Sequence, residues 1–386
     1  MQPHSRVSYV WQEQAAPAEY TTGVSLHSHT SASEESLTFI HKMGEALPLA
    51  GFVSRYYERR ALERYGIGLD FVSSHWRPPL VPKMAWELER DQITALGLEA
   101  LISITDHDCI QAPLLLRTIT EARAIPVSLE WTTPFGITAF HMGIHNIPSA
   151  QALDWMKRFE SFTLVPSDAE LNIILNELHA IPQVLIVLNH PLWDLHTVGQ
   201  KEHEIELDRF LFEHGEVIHA LELNGLRHAK ENHAVTILAR RWKQLLISGG
   251  DRHGLEPNAN INLTNARSFN EFVHEIRVER RSHVLFMPQY QNPWEQRILD
   301  STLDAITDHP HFSPGWQRWD ERAFHRDASG VMRPLSELWP TGRAPRALLL
   351  ALQIVRLFRN RTFARTLALT CPGVNRMPGG VRDVAY

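Results

Sequence analysis

A chain of 386 residues that is 44% apolar and 21% charged is long and apolar enough to bury a sizeable core, which excludes a disordered or low-complexity protein. The net charge of −6 is mild but uneven, because residues 340–386 hold eight arginines, no lysine and one acid, Asp383. That basic segment could meet nucleic acid, anionic lipid or the acidic body of the chain itself. Only Cys109 and Cys371 are present, so neither a disulfide framework nor a Cys-based zinc motif is available. Residues 1–20 carry no apolar run of the signal-peptide kind, and no stretch reaches the roughly 18 apolar residues of a membrane span. The cytoplasm is the expected location.

In chain order, residues 24–29 read as a strand ending in His27-Ser28-His29. Met84, Trp86, Leu88, Ile93 and Leu96 have helical spacing, which predicts a helix over 82–97 stopped by Gly97. A buried strand over 98–105 follows and ends at Asp106. A helix over 113–124 leads to a short strand, 125–129, that ends at Glu130. A strand over 137–144 carries His141. Beyond it come a helix (168–179), a strand (184–188) ending at Asn189-His190-Pro191, and a helix that begins over 208–212. A strand (217–223), a helix (231–242) and a strand (245–248) ending at Asp251 complete the series. The alternation predicts a parallel α/β architecture with its chemistry at the C-terminal ends of the strands.

Two regions break the pattern. Residues 38–80 form an insertion with an expected helix over 54–65 and the loop Ser73-Ser74-His75-Trp76-Arg77-Pro78-Pro79. It reads either as a lid beside the site or as a surface excursion. Residues 291–386 are Trp- and Pro-rich, then helical over 345–369, and form a basic extension.

Three runs carry the chemistry: His27-Ser28-His29, Thr105-Asp106-His107-Asp108 and Asp251-Arg252-His253. Residues at i and i+2 of a strand share a face, so each pair could grip one ion together. Of the 22 histidines, those outside such runs, among them His4, His41, His179, His214 and His219, read as ordinary surface or core residues.

These runs, with Glu130, His141, Asn189-His190-Pro191 and the order in which they occur, resemble the polymerase-and-histidinol-phosphatase (PHP) superfamily of metal-dependent phosphoesterases over residues 22–256. The resemblance implies a distorted (β/α)7 barrel of the PHP type, here a domain over 22–290 with the insertion and the C-terminal extension added. It implies two or three divalent metal ions, Mn, Zn or Fe. His27, His29, Glu130 and Asp251 would hold the first. Glu130 would bridge to a second, completed by His141 and His190, and Glu34, His107 and His253 would hold the third. Ser25 stands where the family usually has an aspartate that supports the ligands.

Imidazole and carboxylate without thiolate suit those metals. Clustered metals can bind a water as hydroxide and clamp phosphoryl oxygens. Either Arg227 or Arg252 could bind phosphate through its planar fork. His228 could protonate the leaving group, and Asp106 has an orienting role. The expected activity is hydrolysis of a phosphoester in a small metabolite or nucleotide. The alternatives are an exonuclease acting on oligonucleotide ends, which the basic segment would favour, and a metal-binding scaffold without activity.

Overall fold

The computed structural model describes residues 3–36, 59, 73–339 and 341–357. The predicted helix over 54–65, most of the insertion and the far end of the basic segment lie outside the described residues, apart from Arg59. The chain divides into two compact units, Met1–Glu34 with Pro78–Ser301, and Glu35–Arg77 with Thr302–Tyr386.

The first unit holds two five-stranded sheets. One has the order β1 (His4–Tyr9), β12 (Arg281–Phe286), β11 (Asn260–Thr264), β2 (Thr22–Ser25), β5 (Glu99–Ile102). The other runs β10 (Leu245–Gly249), β9 (Ala220–Asn224), β8 (Leu185–Asn189), β7 (Thr138–Ile147), β6 (Val127–Phe135). Strands β8, β9 and β10 are parallel and are covered on both faces. They therefore read as continuous apolar runs rather than alternating ones. Leu185, Val187, Leu245 and Ile247 face an inner core with Val24 and Leu26. Ile186, Leu188, Leu221 and Leu246 pack outward with Phe159, Ile174 and Phe210. Each such Leu, Ile or Phe side chain stabilises the fold by roughly 1.5–3 kcal/mol on burial.

Local signals set the helix bounds. Pro82 opens the helix Pro82–Thr94, and the chain leaves it through Gly97 at a φ of +78°. Ser167 caps Asp168–Ala180 by accepting from the Glu170 amide.

Several expectations are corrected. The alternation is not all parallel: β6 and β7 form a long antiparallel hairpin, and β11 is antiparallel to both β2 and β12. Glu130 accordingly lies inside β6 rather than at a strand end. The helix expected over 113–124 is the shorter Gln111–Leu116, and the one expected from 208 begins at Gln200. Strands β1, β11 and β12 and the helix Ala152–Leu164 were not predicted.

The strand pairings do not close into a barrel among the described residues. Side chains bridge the two sheets along β10, where Leu246 N donates to Ser5 Oγ and Ser248 N to Asn262 Oδ1, and backbone hydrogen bonds join them at one end. There Gly250 N and Asp251 N donate to Leu26 O and His27 O, and Glu130 N and Asp108 N donate to Asp106 O and Glu130 O.

The second unit contains a sheet of β3 (Glu35–Ser36), β4 (His75–Trp76), β13 (Ala323–Arg326) and β14 (Met332–Pro334) in the order β14, β13, β4, β3. Buried Arg322 organises it, donating to carbonyls of Thr307, Trp316 and Arg318. The helix predicted over 345–369 is described as Arg346–Leu357. No helix among the described residues is long and apolar enough to cross a membrane.

Candidate metal centre

At the joined end of the two sheets, Glu130 is fully buried and meets five imidazoles with its two oxygens. Oε2 lies 3.0 Å from His27 Nε2, 3.3 Å from His29 Nε2 and 3.2 Å from His107 Nδ1. Oε1 lies 3.1 Å from both His141 Nδ1 and His190 Nε2. Asp251 Oδ1 is 3.6 Å from the Nε2 atoms of His27 and His29. Donors bound to one ion at about 2.0–2.2 Å fall about 3–3.6 Å from each other, so these spacings fit shared ions. His27, His29 and Glu130 form one group able to hold a metal, and His107, Glu130 and His141 form another.

The ligand segments converge by a route other than strand alternation. Strand β2 ends at Ser25, and His27 has a φ of +58°; β10 ends at Gly249, and Asp251 has a φ of +55°. His190, just past β8, has a φ of +26°. Left-handed backbone at non-glycine residues costs about 1–3 kcal/mol each and persists where surrounding contacts enforce it. Here it swings three ligand side chains off the strand ends toward Glu130.

Glu222 supplies much of the enforcement, a role that sequence reasoning missed. Its Oε1 lies 2.5 Å from His27 Nδ1, and its Oε2 accepts from His190 N at 2.8 Å and Asn224 Nδ2 at 2.9 Å. With Nδ1 held by a carboxylate, His27 presents Nε2 to the centre. A Cβ on Gly249 would overlap the Glu222 carboxylate, so glycine is required there. The only signal in the sequence is one acid inside the apolar strand 220–224. Asn189 was quoted only as part of its motif, yet its Nδ2 donates to Glu130 Oε1 at 3.0 Å.

The buried carboxylates and imidazoles set one another's charge. Burial alone would lower the pKa of His27, but Glu130, Glu222 and Asp251 override it and hold it well above its ordinary value. Burial alone would raise Glu130, but His27, His141 and His107 hold it well below the usual carboxylate range. Burial pushes His141 down to about 4 against the pull of Glu130. Three carboxylates thus surround His27 and call for a cation there, either a proton on the ring or a metal ion.

The remaining predicted residues fall in different places. Arg227 is nearly buried, its guanidinium 3.1 Å from the centre of the Trp193 ring. Its Nε and Nη2 have no hydrogen-bond partner among the described residues, and the nearest carboxylates are Asp251 at 3.8 Å and Glu231 at 3.9 Å. Asp106 accepts from the Thr30 amide and hydroxyl, which ties down the loop after His29. The His253 ring stacks on His29 at 4.2 Å between centroids.

Three assignments need correction. Arg252 does not offer its fork to a ligand: it is buried against Glu89 and donates to the carbonyls of His29 and Gly254. His228 is turned back to cap the helix Ala229–Trp242, its Nδ1 accepting from Lys230 N at 3.0 Å. Glu34 is exposed at the end of the first unit, because the strand that follows buries Glu35 and turns its neighbours outward.

No protein-family model and no curated protein matches the chain. Among solved structures, PsfC from Pseudomonas syringae PB-5123 is similar at a TM-score of 0.39 and 14% identity, covering 57% of this chain and 87% of its own. An amidohydrolase from Chromobacterium violaceum, with bound sulfate and no metal, is similar at 0.31 and 15%, covering 46% and 83%. A protein from Bifidobacterium adolescentis described as a candidate metal-dependent phosphoesterase is similar at 0.30 and 15%, covering 53% and 91%. At such distances the functional reading rests on the site's own geometry.

Proposed function

We propose that this protein is a metal-dependent hydrolase acting on a phosphoester of a small molecule. The observation that carries the reading is Glu130, a buried carboxylate whose two oxygens face separate sets of imidazoles. A carboxylate in that position can bridge two ions, and the nitrogen-rich set fits Mn, Zn or Fe. His27, His29 and Asp251 would hold one ion with Glu130, and His141 and His190 the other, while His107 and His253 flank the first. Such ions, when bound, activate water at neutral pH and polarise a phosphoryl group.

The chain's own residues supply the rest. Arg227 keeps two buried N–H groups without an acceptor among the described residues, and a phosphoryl oxygen would satisfy them. Its contact with the Trp193 face fixes the plane of the fork before substrate arrives. The nearest carboxylates, Asp251 and Glu231 at 3.8 and 3.9 Å, offset the charge but are too far to accept from these N–H groups, and a phosphoryl group matches a guanidinium fork better than a neutral amide does. Glu222 holds His27 in one orientation through Nδ1.

The test is phosphate release by Mn²⁺-loaded protein from sugar phosphates, nucleoside monophosphates and bisphosphates, histidinol phosphate and short oligonucleotides, with E130Q as control. Release from one small-molecule class, lost in E130Q, is the expected result. Shortened oligonucleotides without phosphate release would replace the reading with a nuclease. Silence on every substrate by metal-loaded protein would leave a binding scaffold.

A further inference from the structure

Glu89 and Arg252 form a buried ion pair that touches no candidate ligand side chain, yet it holds the backbone of both segments that carry ligands. Glu89 comes from the helix Pro82–Thr94 and is fully buried, as are Ser25 and Asn258 beside it. Arg252 Nε donates to Glu89 Oε1 at 3.0 Å, Nη2 to His29 O at 3.1 Å and Nη1 to Gly254 O at 3.1 Å. His29 N donates back to Arg252 O at 2.9 Å. The other carboxylate oxygen accepts from Ser25 Oγ at 2.9 Å, just before the His27–His29 turn. Asn258 completes the ring, its amide donating to Glu89 and its side chain to Ser25 Oγ and Leu26 O. One guanidinium thus grips the carbonyls of residues 29 and 254, on either side of the joint between the sheets.

We propose that the Ser25–Glu89–Arg252 network is the positioning device of the centre, setting the spacing between the His27–His29 and Asp251–His253 segments and hence the affinity for metal. The inference rests on the metal-dependent reading above. A lysine at 252 could not serve three acceptors in fork geometry. Glutamine at 89 would leave the guanidinium buried without its counter-charge. Ser25 Oγ meets both Glu89 and Asn258, so an acid at position 25 would enter the same buried polar cluster. An acid moved to position 25 tests whether negative charge in that cluster is what matters.

The experiment measures Mn²⁺ affinity by calorimetry and retained metal after dialysis, with far-UV circular dichroism as the check on folding. It uses the parent protein, E89Q, R252K, the neutral pair E89Q/R252M and the transplanted acid S25D/E89A. The expected result is folded E89Q and R252K with roughly 10–100-fold weaker metal binding, the range found when an orienting partner is lost. S25D/E89A should recover most of it. If the single variants do not fold, the neutral pair, which leaves no lone buried charge, gives the same reading. Folded variants that bind Mn²⁺ within twofold of the parent would overturn the positioning role and leave the metal reading intact. A parent that binds no Mn²⁺ would overturn both.

Discussion

The centre is built from two kinds of backbone, and they behave differently. Glu130 and His141 sit inside a regular antiparallel hairpin, where Glu130 pairs with Gly143 and Thr132 with His141. They are diagonal neighbours on one face, placed by strand alternation alone. His27, His190 and Asp251 instead sit just past the ends of β2, β8 and β10 in left-handed conformations. Ladder hydrogen bonds place the candidate ligands of the hairpin, with Asn189 as one side-chain partner of Glu130, whereas the candidate ligands in the turns depend on several buried polar partners. A hairpin residue should therefore fail chiefly when it is itself changed. A turn residue should fail when its supports are changed as well.

The largest expected effect comes from the hairpin itself. E130Q keeps the shape but removes the charge shared by both imidazole sets. Metal content by elemental analysis should fall toward zero, with a loss of activity exceeding the roughly 10–100-fold typical of an orienting residue. Retention of one ion per chain would show that the two sets do not depend on a common carboxylate.

On the turn side, E222A and G249A should each weaken metal binding roughly 10–100-fold without altering a ligand. Gly249 has no positive φ, so a defect in G249A reports the Glu222 seat and not backbone strain. If both variants bound metal normally, the turns would hold themselves and the contrast with the hairpin would dissolve.

Arg227 belongs to neither class and separates substrate binding from metal binding. R227M should raise KM or lower kcat/KM for a phosphate monoester about 10–100-fold, as expected for loss of a charged hydrogen bond. Its metal content should be unchanged. Loss of metal in R227M would make Arg227 another support of Asp251.

The smallest effect lies away from the centre and tests the titration of the scaffold. His283 hydrogen-bonds through Nε2 to Ser8 Oγ and through Nδ1 to Tyr20 OH, and burial pushes its pKa down to about 4. The ring is neutral when folded, while the unfolded ring protonates near about 6.5. The stability it contributes is complete above about 6.5 and is lost as pH falls through about 4. H283Q should be less steeply acid-sensitive between those values in urea melts. An unchanged pH slope would place the titration elsewhere.

The same division explains what could be read from the chain. The apolar runs of β8 and β10 follow from residue pattern, whereas Glu130, His141 and His190 were named as candidate ligands through the family resemblance, with Glu130 expected at a strand end and not inside a hairpin. The turn ligands were also named, but for a reason that does not hold: His27 and His29 are not consecutive same-face residues of a strand. They meet because Glu222 and the bonds to residues 250–252 force His27 into a left-handed turn, and those partners are remote in sequence. Glu34 and Arg252 were misread for a related reason. Arg252 stands between two candidate ligands and Glu34 beside the buried Glu35, and adjacency in sequence does not say which side chain turns inward. Strands β11 and β12 carry no motif and broke the expected alternation by running antiparallel to each other, so they went unread.

The joint between Leu26 and Gly250 also bears on how the molecule comes into being. His27 and His29 leave the ribosome roughly two hundred residues before Asp251, the amides that bend His27 and the guanidinium of Arg252. Closing so long a loop is slow and cannot be rewarded until both ends exist. The two histidines therefore wait for those partners while the residues between are made. A nascent chain that stops before residue 245 would expose a pair of imidazoles with little grip on any ion, and selective metal capture becomes an event of late folding.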